Sequence, residues 1–262
     1  MNKRETLDRL ASDTEERLLL SRIWDQYDRC LGRNIITVTA FLSPREQQSA
    51  QRLIRVLGAA EDSFLFWGGY QGAERCQLHF LPDWSSQPDN DAIRALRCTW
   101  YRSDSLTHRD FLGSLMGLGL TREKIGDILV SEDHADVLVS TQVEPFLLSS
   151  WDAAGRVKLQ VVPLPLGEIV PPEVRIKEVK DTVPSLRLDS VLSVGFSLSR
   201  GKAAEAVRSG KVQLNWTDCA KPDHPVSQGD VISLRGFGKC ELKTVGHETK
   251  KGRVFVTIKR YL

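Results

Sequence analysis

The sequence has 262 residues, of which 41% are hydrophobic and 27% charged, and its formal net charge is +2 at pH 7. These values are typical of a globular protein that is long enough for two or three small domains. No run of about 18 apolar residues occurs, so we expect no membrane span. The N-terminus, MNKRETLDRL, lacks the apolar core of a secretory signal.

Cysteine and histidine spacing argues against disulfides and metal sites. The cysteines are odd in number and widely spread, and no Cys-x-x-Cys pair occurs, which is typical of a reducing cytoplasm. The five histidines never fall at metal-ligand spacing. We interpret the acidic cluster at 132–136 as a solvated turn rather than a metal site. We therefore expect no metal, no cofactor and no catalytic residue. The cysteines are Cys30, Cys76, Cys98, Cys219 and Cys240.

Positive charge is concentrated near the C-terminus. Residues 181–262 hold 14 Lys and Arg against 8 Asp and Glu, a net charge of +6, whereas residues 1–180 have a net charge of −4. A basic region on an acidic body is typical of a protein with one nucleic-acid face.

The first 82 residues predict a small α/β domain. Helical periodicity runs from 3 to 31, with Gly32 as the expected cap, and a strand is expected at 35–41. Ser43 and Glu46 flank Pro44 as in a capping box, so a helix should follow and end at Gly58. Strands are then expected at 64–67 and 76–81.

Residues 83–170 predict a ferredoxin-like domain with the order β-α-β-β-α-β. The expected strands are 97–101, 128–130, 137–140 and 157–162, and the expected helices are 108–116 and 141–150. RNA-recognition domains share this order and stack bases on strand aromatics. Trp100 and Tyr101 lie on the first strand, whereas the third has no aromatic residue, so we favour core packing over base stacking for both.

Glycines are frequent between 111 and 130, which predicts tight turns or close backbone approach. Close packing of a helix on a sheet is the favoured interpretation, and a loop in which Arg122 and Lys124 contact an RNA backbone is the alternative. Four prolines within 161–173 then predict that this segment is an extended linker, and a strand is expected at 174–179.

Residues 181–262 predict two short helices followed by strands. Leu188, Val191 and Leu192 recur at helical spacing, and Gly195 suits a left-handed cap. Ser199 is the expected N-cap of a second helix that ends at Gly210. Strands are expected at 212–214 and 232–234, with a hairpin over 238–262.

Basic residues cluster around this second helix. A phosphate ligand would suit the first turn, where free N–H groups and the helix dipole favour an anion; a solvated charged face is the alternative. The predicted phosphate contacts are Arg187, Arg200, Lys202, Arg208, Lys211, Arg235 and Lys239. Secondary contacts are expected at Arg122, Lys124, Lys250, Lys251 and Arg253.

The order of this segment resembles the S4-type (alpha-L) RNA-binding domain. The matching motifs are R-L-D at 187–189, S-R-x-K-A at 199–203, G-K-V-x-L-N at 210–215 and G-D-x-I-S at 229–233. The resemblance implies RNA binding through the helix pair and the adjoining strand. Pseudouridine synthases often carry this domain beside a catalytic domain with its own R-L-D motif, but few residues follow the domain here, so an RNA-modifying enzyme is only the alternative.

The whole chain resembles the YlmH family, whose cyanobacterial and plastid relatives are called photosystem II S4 domain proteins. Its motifs are T-x-F-L-S-P-R-E at 39–46, G-G-Y-x-G-A-E-R at 68–75 and the run H-R-D-F-L-G-S-L-M-G-L-G-L-T-R-E-K-I-G-D-I at 108–128. The chain departs from this resemblance at Cys76 and Gln77, because the resemblance leads us to expect more basic residues directly after the Ala-Glu-Arg of the second motif.

The YlmH resemblance implies a non-enzymatic, monomeric protein that binds rRNA and tRNA on the large ribosomal subunit. There it would act in quality control of stalled nascent chains, beside the factor that adds C-terminal tails. The expected location is the cytoplasm, or the stroma for a plastid homologue. An adaptor in cell division or photosystem biogenesis is a further alternative.

Overall fold

The structure is a computed structural model that describes residues 2–101, 104–171 and 175–261. The chain forms two compact units, Met1–Pro172 (the N-terminal unit) and Glu173–Leu262 (the C-terminal unit). In the described residues, no helix is long and apolar enough to cross a membrane.

The N-terminal unit begins with three helices packed against a small sheet. Its first elements are α1 (Lys3–Leu10), α2 (Thr14–Arg33), β1 (Thr37–Leu42), α3 (Pro44–Leu57), β2 (Phe64–Trp67) and β3 (Cys76–Phe80). The sheet is antiparallel, with the order β1-β3-β2. The predicted capping box of α3 is confirmed: Glu46 N donates to Ser43 Oγ at 3.4 Å, and Ser43 N donates to Glu46 Oε2 at 2.6 Å.

The prediction of one helix over 3–31 is wrong, because the helix is interrupted between α1 and α2. Asp13 begins α2 as an N-cap, with its carboxylate accepting the Glu16 N–H at 2.8 Å. Gly32 does not cap the helix either. The left-handed residue that ends α2 is Asn34, with φ of 53°, which asparagine tolerates better than most residues.

The middle of the N-terminal unit is a four-stranded antiparallel sheet with helices on one face. Its elements are β4 (Ile93–Thr99), α4 (His108–Gly117), β5 (Ile125–Val130), β6 (His134–Ser140), α5 (Glu144–Ser150), β7 (Ala153–Ala154), β8 (Val157–Lys158) and β9 (Gln160–Leu164). The strand order β5-β6-β4-β9 is the ferredoxin-like order that the sequence predicts.

The predicted linker at 161–173 is wrong over its first residues. Pro163 lies in β9 and pairs with Leu96, on the edge of the sheet where a missing N–H is tolerated. A short 3-10 turn, Leu166–Glu168, follows and leads to Ile169, which is buried. The strand predicted at 157–162 is likewise two pieces, β8 and the start of β9.

Both faces of this four-stranded sheet are covered. Leu96 and Cys98 face α4 and α5, where Phe111 and Leu147 join them in one core. On the opposite face a second cluster contains Phe41 and Trp67 from the small sheet and Tyr70 from the turn after β2; its sheet residues are Ile93, Ala95, Leu129, Leu138 and Leu164. The small sheet and the ferredoxin-like sheet therefore share a core.

Asp127 on β5 fastens the glycine-rich turn at 68–75 to the ferredoxin-like sheet. Its carboxylate accepts the Tyr70 hydroxyl at 2.7 Å and the backbone N–H groups of Glu74 and Arg75 at 2.7 and 3.0 Å. Arg75 Nε in turn donates to the Ile125 carbonyl at 2.8 Å. We name this set of contacts, made by Asp127, Tyr70, Glu74, Arg75 and Ile125, the Asp127 clamp.

Gly126 allows the close approach that the Asp127 clamp needs. A Cβ at this position would lie 2.8 Å from Phe41 Cε1 and 2.9 Å from Leu138 Cβ, distances that real side chains do not reach. The predicted close backbone approach is therefore present at Gly126. It occurs between the small sheet and β5, and not between a helix and the sheet, which was the favoured interpretation.

The C-terminal unit packs two helices on a six-stranded antiparallel sheet. Its elements are β10 (Ile176–Val183), α6 (Leu188–Gly195), α7 (Arg200–Arg208), β11 (Val212–Leu214), β12 (Thr217–Asp218), β13 (Val231–Leu234), β14 (Gly238–Glu248) and β15 (Val254–Tyr261). The strand order is β10-β15-β14-β13-β11-β12. The predicted helix pair and terminal hairpin are confirmed.

Gly195 serves a different purpose from the predicted left-handed cap. It is the last residue of α6, and Phe196 follows with φ of −109°, so the left-handed residue is Ser197, with φ of 55°. A Cβ on Gly195 would lie 2.9 Å from Cys240 Sγ. Glycine is therefore needed because α6 lies directly on β14.

Candidate nucleic-acid interface

The N-terminus of α7 presents two cations to solvent. Ser199 is the N-cap, and its hydroxyl accepts the Lys202 N–H at 3.3 Å. Arg200 and Lys202 occupy the first turn and are exposed. Lys202 forms no ion pair in the part of the chain that the structure describes, so its ammonium is available to an anionic ligand near the positive end of the helix dipole.

Asp189 holds Arg187 and Arg200 together at the turn between the two helices. Arg187 Nε and Nη2 donate to its carboxylate at 3.2 and 3.1 Å, and Arg200 Nε lies 3.6 Å from the same carboxylate. The Asp189 side chain is 6% exposed, whereas those of Arg187 and Arg200 are 40% and 52% exposed. One buried negative charge therefore orients two accessible positive charges and leaves a net positive charge.

Burial of the Asp189 carboxyl would raise its pKa, but the hydrogen bond from Arg187 and the charges of Arg187 and Arg200 together hold that pKa below its ordinary value of 3.8. The backbone here is fixed as well, because Leu188 N and Asp189 N donate to the carbonyls of His224 and Pro222 at 2.9 Å each. Asp189 is therefore a charged, rigid anchor at neutral pH.

Replacing Asp189 with asparagine should lower the free energy of unfolding of the C-terminal unit by about 1–2 kcal/mol at pH 7, because two charge-assisted bonds weaken. Since the folded pKa of Asp189 is lowered, its contribution is present above pH 3.8 and is lost as pH falls through the folded value. Urea unfolding of both chains at several pH values measures this. Asp223→Asn, in an exposed loop, is the control; equal losses in both variants would contradict the expectation.

Lys211 and Arg235 form a second pair of cations. Arg235 N donates to the Lys211 carbonyl at 2.9 Å, which joins the residue after Gly210 to the residue after β13. Both side chains are exposed, and neither forms an ion pair among the described residues. They border a shallow depression with Gly210, Gln213 and Asp218.

The remaining primary candidates occupy other positions on the C-terminal unit. Arg208 is exposed in the last turn of α7, where a cation suits the helix dipole. Lys239 lies on β14 with its ammonium 5.0 Å from the centre of the Tyr261 ring. The structure thus brings together Arg187 with Arg200 and Lys211 with Arg235, and all seven residues remain predicted RNA contacts.

Three of the five secondary candidates take part in structural contacts. Arg122 and Lys124 lie in a 3-10 turn, where the Arg122 carbonyl accepts Arg75 Nη2 at 2.9 Å and Lys124 Nζ donates to Gln142 at 2.8 Å. Arg253 Nε donates to Thr182 Oγ1 at 2.8 Å, which ties the terminal hairpin to β10. Lys250 and Lys251 are exposed at the tip of that hairpin.

The sheet face that stacks bases in RNA-recognition domains is occupied here. Phe41 and Tyr70 cover part of it, and Arg97 forms a bidentate pair with Asp136 beside them, at 2.8 Å for both bonds.

Asp136 is 1% exposed, so interpreting it as part of a solvated turn is wrong. Trp100 packs on Phe111 as predicted, but Tyr101 is 82% exposed, so the core interpretation of Tyr101 is wrong.

Three family models match the chain: "YlmH, N-terminal" at 15–83, "Putative RNA-binding domain in YlmH" at 101–168 and "S4 domain" at 186–232. The "Ribosome-associated protein quality control protein P2" of Bacillus subtilis (strain 168) is 36% identical over 225 residues, which cover 85% of this chain and 86% of that protein. The chain belongs to the YlmH family. Its C-terminal unit contains an RNA-binding S4 domain.

A solved structure, "Cell division protein ylmH from Streptococcus pneumoniae", is also similar to this YlmH-family chain. It is 22% identical, has a TM-score of 0.50 and covers 61% of this chain and 97% of its own. At that identity the likeness concerns the fold alone. The glycine-rich motif at 68–75, which carries part of the YlmH resemblance, forms much of the Asp127 clamp; the sequence motif marks these residues but does not reveal that they contact β5.

Proposed function

We propose that this YlmH-family chain is a non-enzymatic binder of structured RNA on the large ribosomal subunit, where it acts in quality control of stalled nascent chains. The observation that carries the proposal is the Asp189-oriented pair Arg187 and Arg200 beside exposed Lys202, within the segment that matches the S4 domain. The name of the 36% identical relative supports the ribosomal setting.

The proposed partners are rRNA, the tRNA of a stalled complex and the factor that extends nascent chains. The protein would act as a monomer in the cytoplasm, or in the stroma for a plastid homologue. Within it, we propose three domains, 1–82, 83–170 and 181–262, of which the last makes the primary phosphate contacts. Arg122, Lys124, Lys250, Lys251 and Arg253 would add weaker contacts.

Reversing both charges at the start of α7, with Arg200→Glu and Lys202→Glu, should strongly weaken binding to purified large subunits. If six phosphate contacts form, the log–log dependence of affinity on salt has a slope of roughly −4 to −5, and losing two contacts should make it shallower by roughly 1.5 to 2. Sedimentation or fluorescence titration at several salt concentrations measures both quantities.

A matched control carries Arg29→Glu and Arg33→Glu on α2, which makes the same change in net charge at two exposed positions. This control should keep most of its affinity. Undiminished binding by the Arg200/Lys202 variant, or an equal loss in both variants, would contradict the proposed interface.

A further inference from the structure

The turn between β13 and β14 displays an aromatic ring. Leu234 pairs with Gly238 across the hairpin, which leaves Arg235, Gly236 and Phe237 as the connecting loop. Gly236 and Gly238 have φ of 85° and 95°, a region that other residues rarely adopt. Phe237 N donates to the Leu234 carbonyl at 2.9 Å. This backbone leaves the Phe237 side chain 49% exposed.

The Phe237 ring is held in place although it is exposed. It meets Phe196 edge to face, with ring centres 6.3 Å apart and an angle of 79° between the rings. Phe196 is 3% exposed and lies under the guanidinium of Arg260, which is 5.3 Å from its ring centre. A ring that is ordered before binding loses little conformational entropy when a ligand covers it.

The charges around Phe237 favour an anionic partner. Arg235 belongs to the same turn, and its backbone N–H donates to the Lys211 carbonyl at 2.9 Å, so the backbones of both basic residues adjoin this turn. Asp218 is the acidic residue that borders their depression, and its carboxylate accepts Gln213 Nε2 at 3.0 Å. Phe196 also follows α6 directly and leads towards the start of α7, whose first turn contains Arg200 and Lys202.

We infer that Phe237 stacks on an unpaired RNA base while Lys211 and Arg235 contact the adjoining phosphates. An aromatic ring beside cations is the usual combination for single-stranded nucleic acid, because stacking needs an unstacked base and the phosphates need positive charge. A purely apolar protein partner would leave those two cations without counter-charges. The inference rests on the proposed function and deepens it, since it names RNA with an unpaired nucleotide as the preferred ligand.

The experiment compares two RNAs with the full chain: a continuous duplex, and the same duplex with one bulged nucleotide. Phe237→Leu should bind the bulged RNA roughly five- to hundred-fold more weakly than the original chain, which is the usual effect of removing one stacking aromatic. Its affinity for the continuous duplex and its salt slope should not change. Phe237→Tyr, which keeps the ring, should bind both RNAs normally.

Arg235→Gln is the matched comparison for phosphate contact. It should weaken binding to both RNAs and make the salt slope shallower by roughly one contact. Thermal unfolding of each variant reports whether the turn stays folded, and Phe237→Tyr provides the comparison if Phe237→Leu is destabilised.

Each outcome decides the inference. If Arg235→Gln weakens binding while Phe237→Leu binds both RNAs as the original chain does, stacking is refuted and the proposed function stands. A loss in Phe237→Leu that is equal for both RNAs would also refute stacking, because the ring would then be structural. If the original chain binds neither RNA but still binds purified large subunits, the inference fails and the proposed function stands; if it binds none of the three, both fail.

Discussion

Replacing Asp127 with alanine is expected to lower the free energy of unfolding of the N-terminal unit by about 3–5 kcal/mol, the largest effect that we predict. The carboxylate accepts three hydrogen bonds, from Tyr70, Glu74 and Arg75. Its removal would leave the half-buried Tyr70 hydroxyl without this acceptor and would take away one of the negative charges near the Arg75 guanidinium, where that of Glu46 remains. Burial, and then the neighbouring Arg122, already lower the pKa of Arg75, so losing Asp127 should disfavour its charged form further.

Chemical unfolding followed by tryptophan fluorescence measures this effect, because five of the six tryptophans lie in the N-terminal unit. Asp62→Ala, in an exposed turn, removes the same charge without a hydrogen bond and should change stability by less than about 0.5 kcal/mol. A loss below about 1 kcal/mol for Asp127→Ala would show that the Asp127 clamp contributes little.

The second large effect is a loss of stability in mild acid, caused by His79. Its side chain is fully buried, and its Nδ1 accepts the Asp89 N–H at 3.1 Å. Burial lowers the pKa of His79 from 6.5 to about 4. The unfolded chain therefore binds a proton between those two pH values that the folded chain does not bind. The stability that neutral His79 contributes is fully present above about pH 6.5. It falls by about 3 kcal/mol as the pH decreases to 4 and changes little below that pH.

Unfolding curves between pH 4 and pH 7 for the original chain and for His79→Gln test this expectation. Glutamine keeps a hydrogen-bond acceptor but does not titrate, so the variant should lose stability less steeply with decreasing pH. His224→Gln, on an exposed loop of the C-terminal unit, should follow the original chain. Parallel curves for all three chains would rule out His79 as the source.

Apart from the order of the helices and strands, the features that sequence patterns predict correctly are those encoded over a few residues. The capping box at Ser43, the N-cap at Ser199 and the helix pair around Asp189 all depend on neighbours within one or two turns, so their spacing is visible in the sequence. The helix break at Asp13 is equally local, because it depends on an N-cap carboxylate followed by Glu16, but the apolar periodicity that continues on both sides hides it.

Long-range contacts could not be read from spacing. Asp127 meets Tyr70 and Arg75 across more than 50 residues, and Arg97 meets Asp136 across 39. In each case the sequence shows a polar residue that looks suited to solvent, and only the fold supplies its partner. The same limit applies to the candidate RNA-binding site. The R-L-D motif is visible in the sequence, but the contact of both Arg187 and Arg200 with Asp189 depends on the turn between α6 and α7, which residue spacing does not reveal.

The covered sheet face decides how this protein can be divided for study. A fragment containing only 83–170 would lose Phe41, Trp67 and Tyr70 and would present Ile93, Ala95 and Leu138 to water. Such a fragment should self-associate through that apolar surface. Any binding of nucleic acid by the fragment would then reflect nonspecific adhesion and not specific recognition. The smallest piece suited to an independent assay of this sheet is 1–172, with its own covering segment attached.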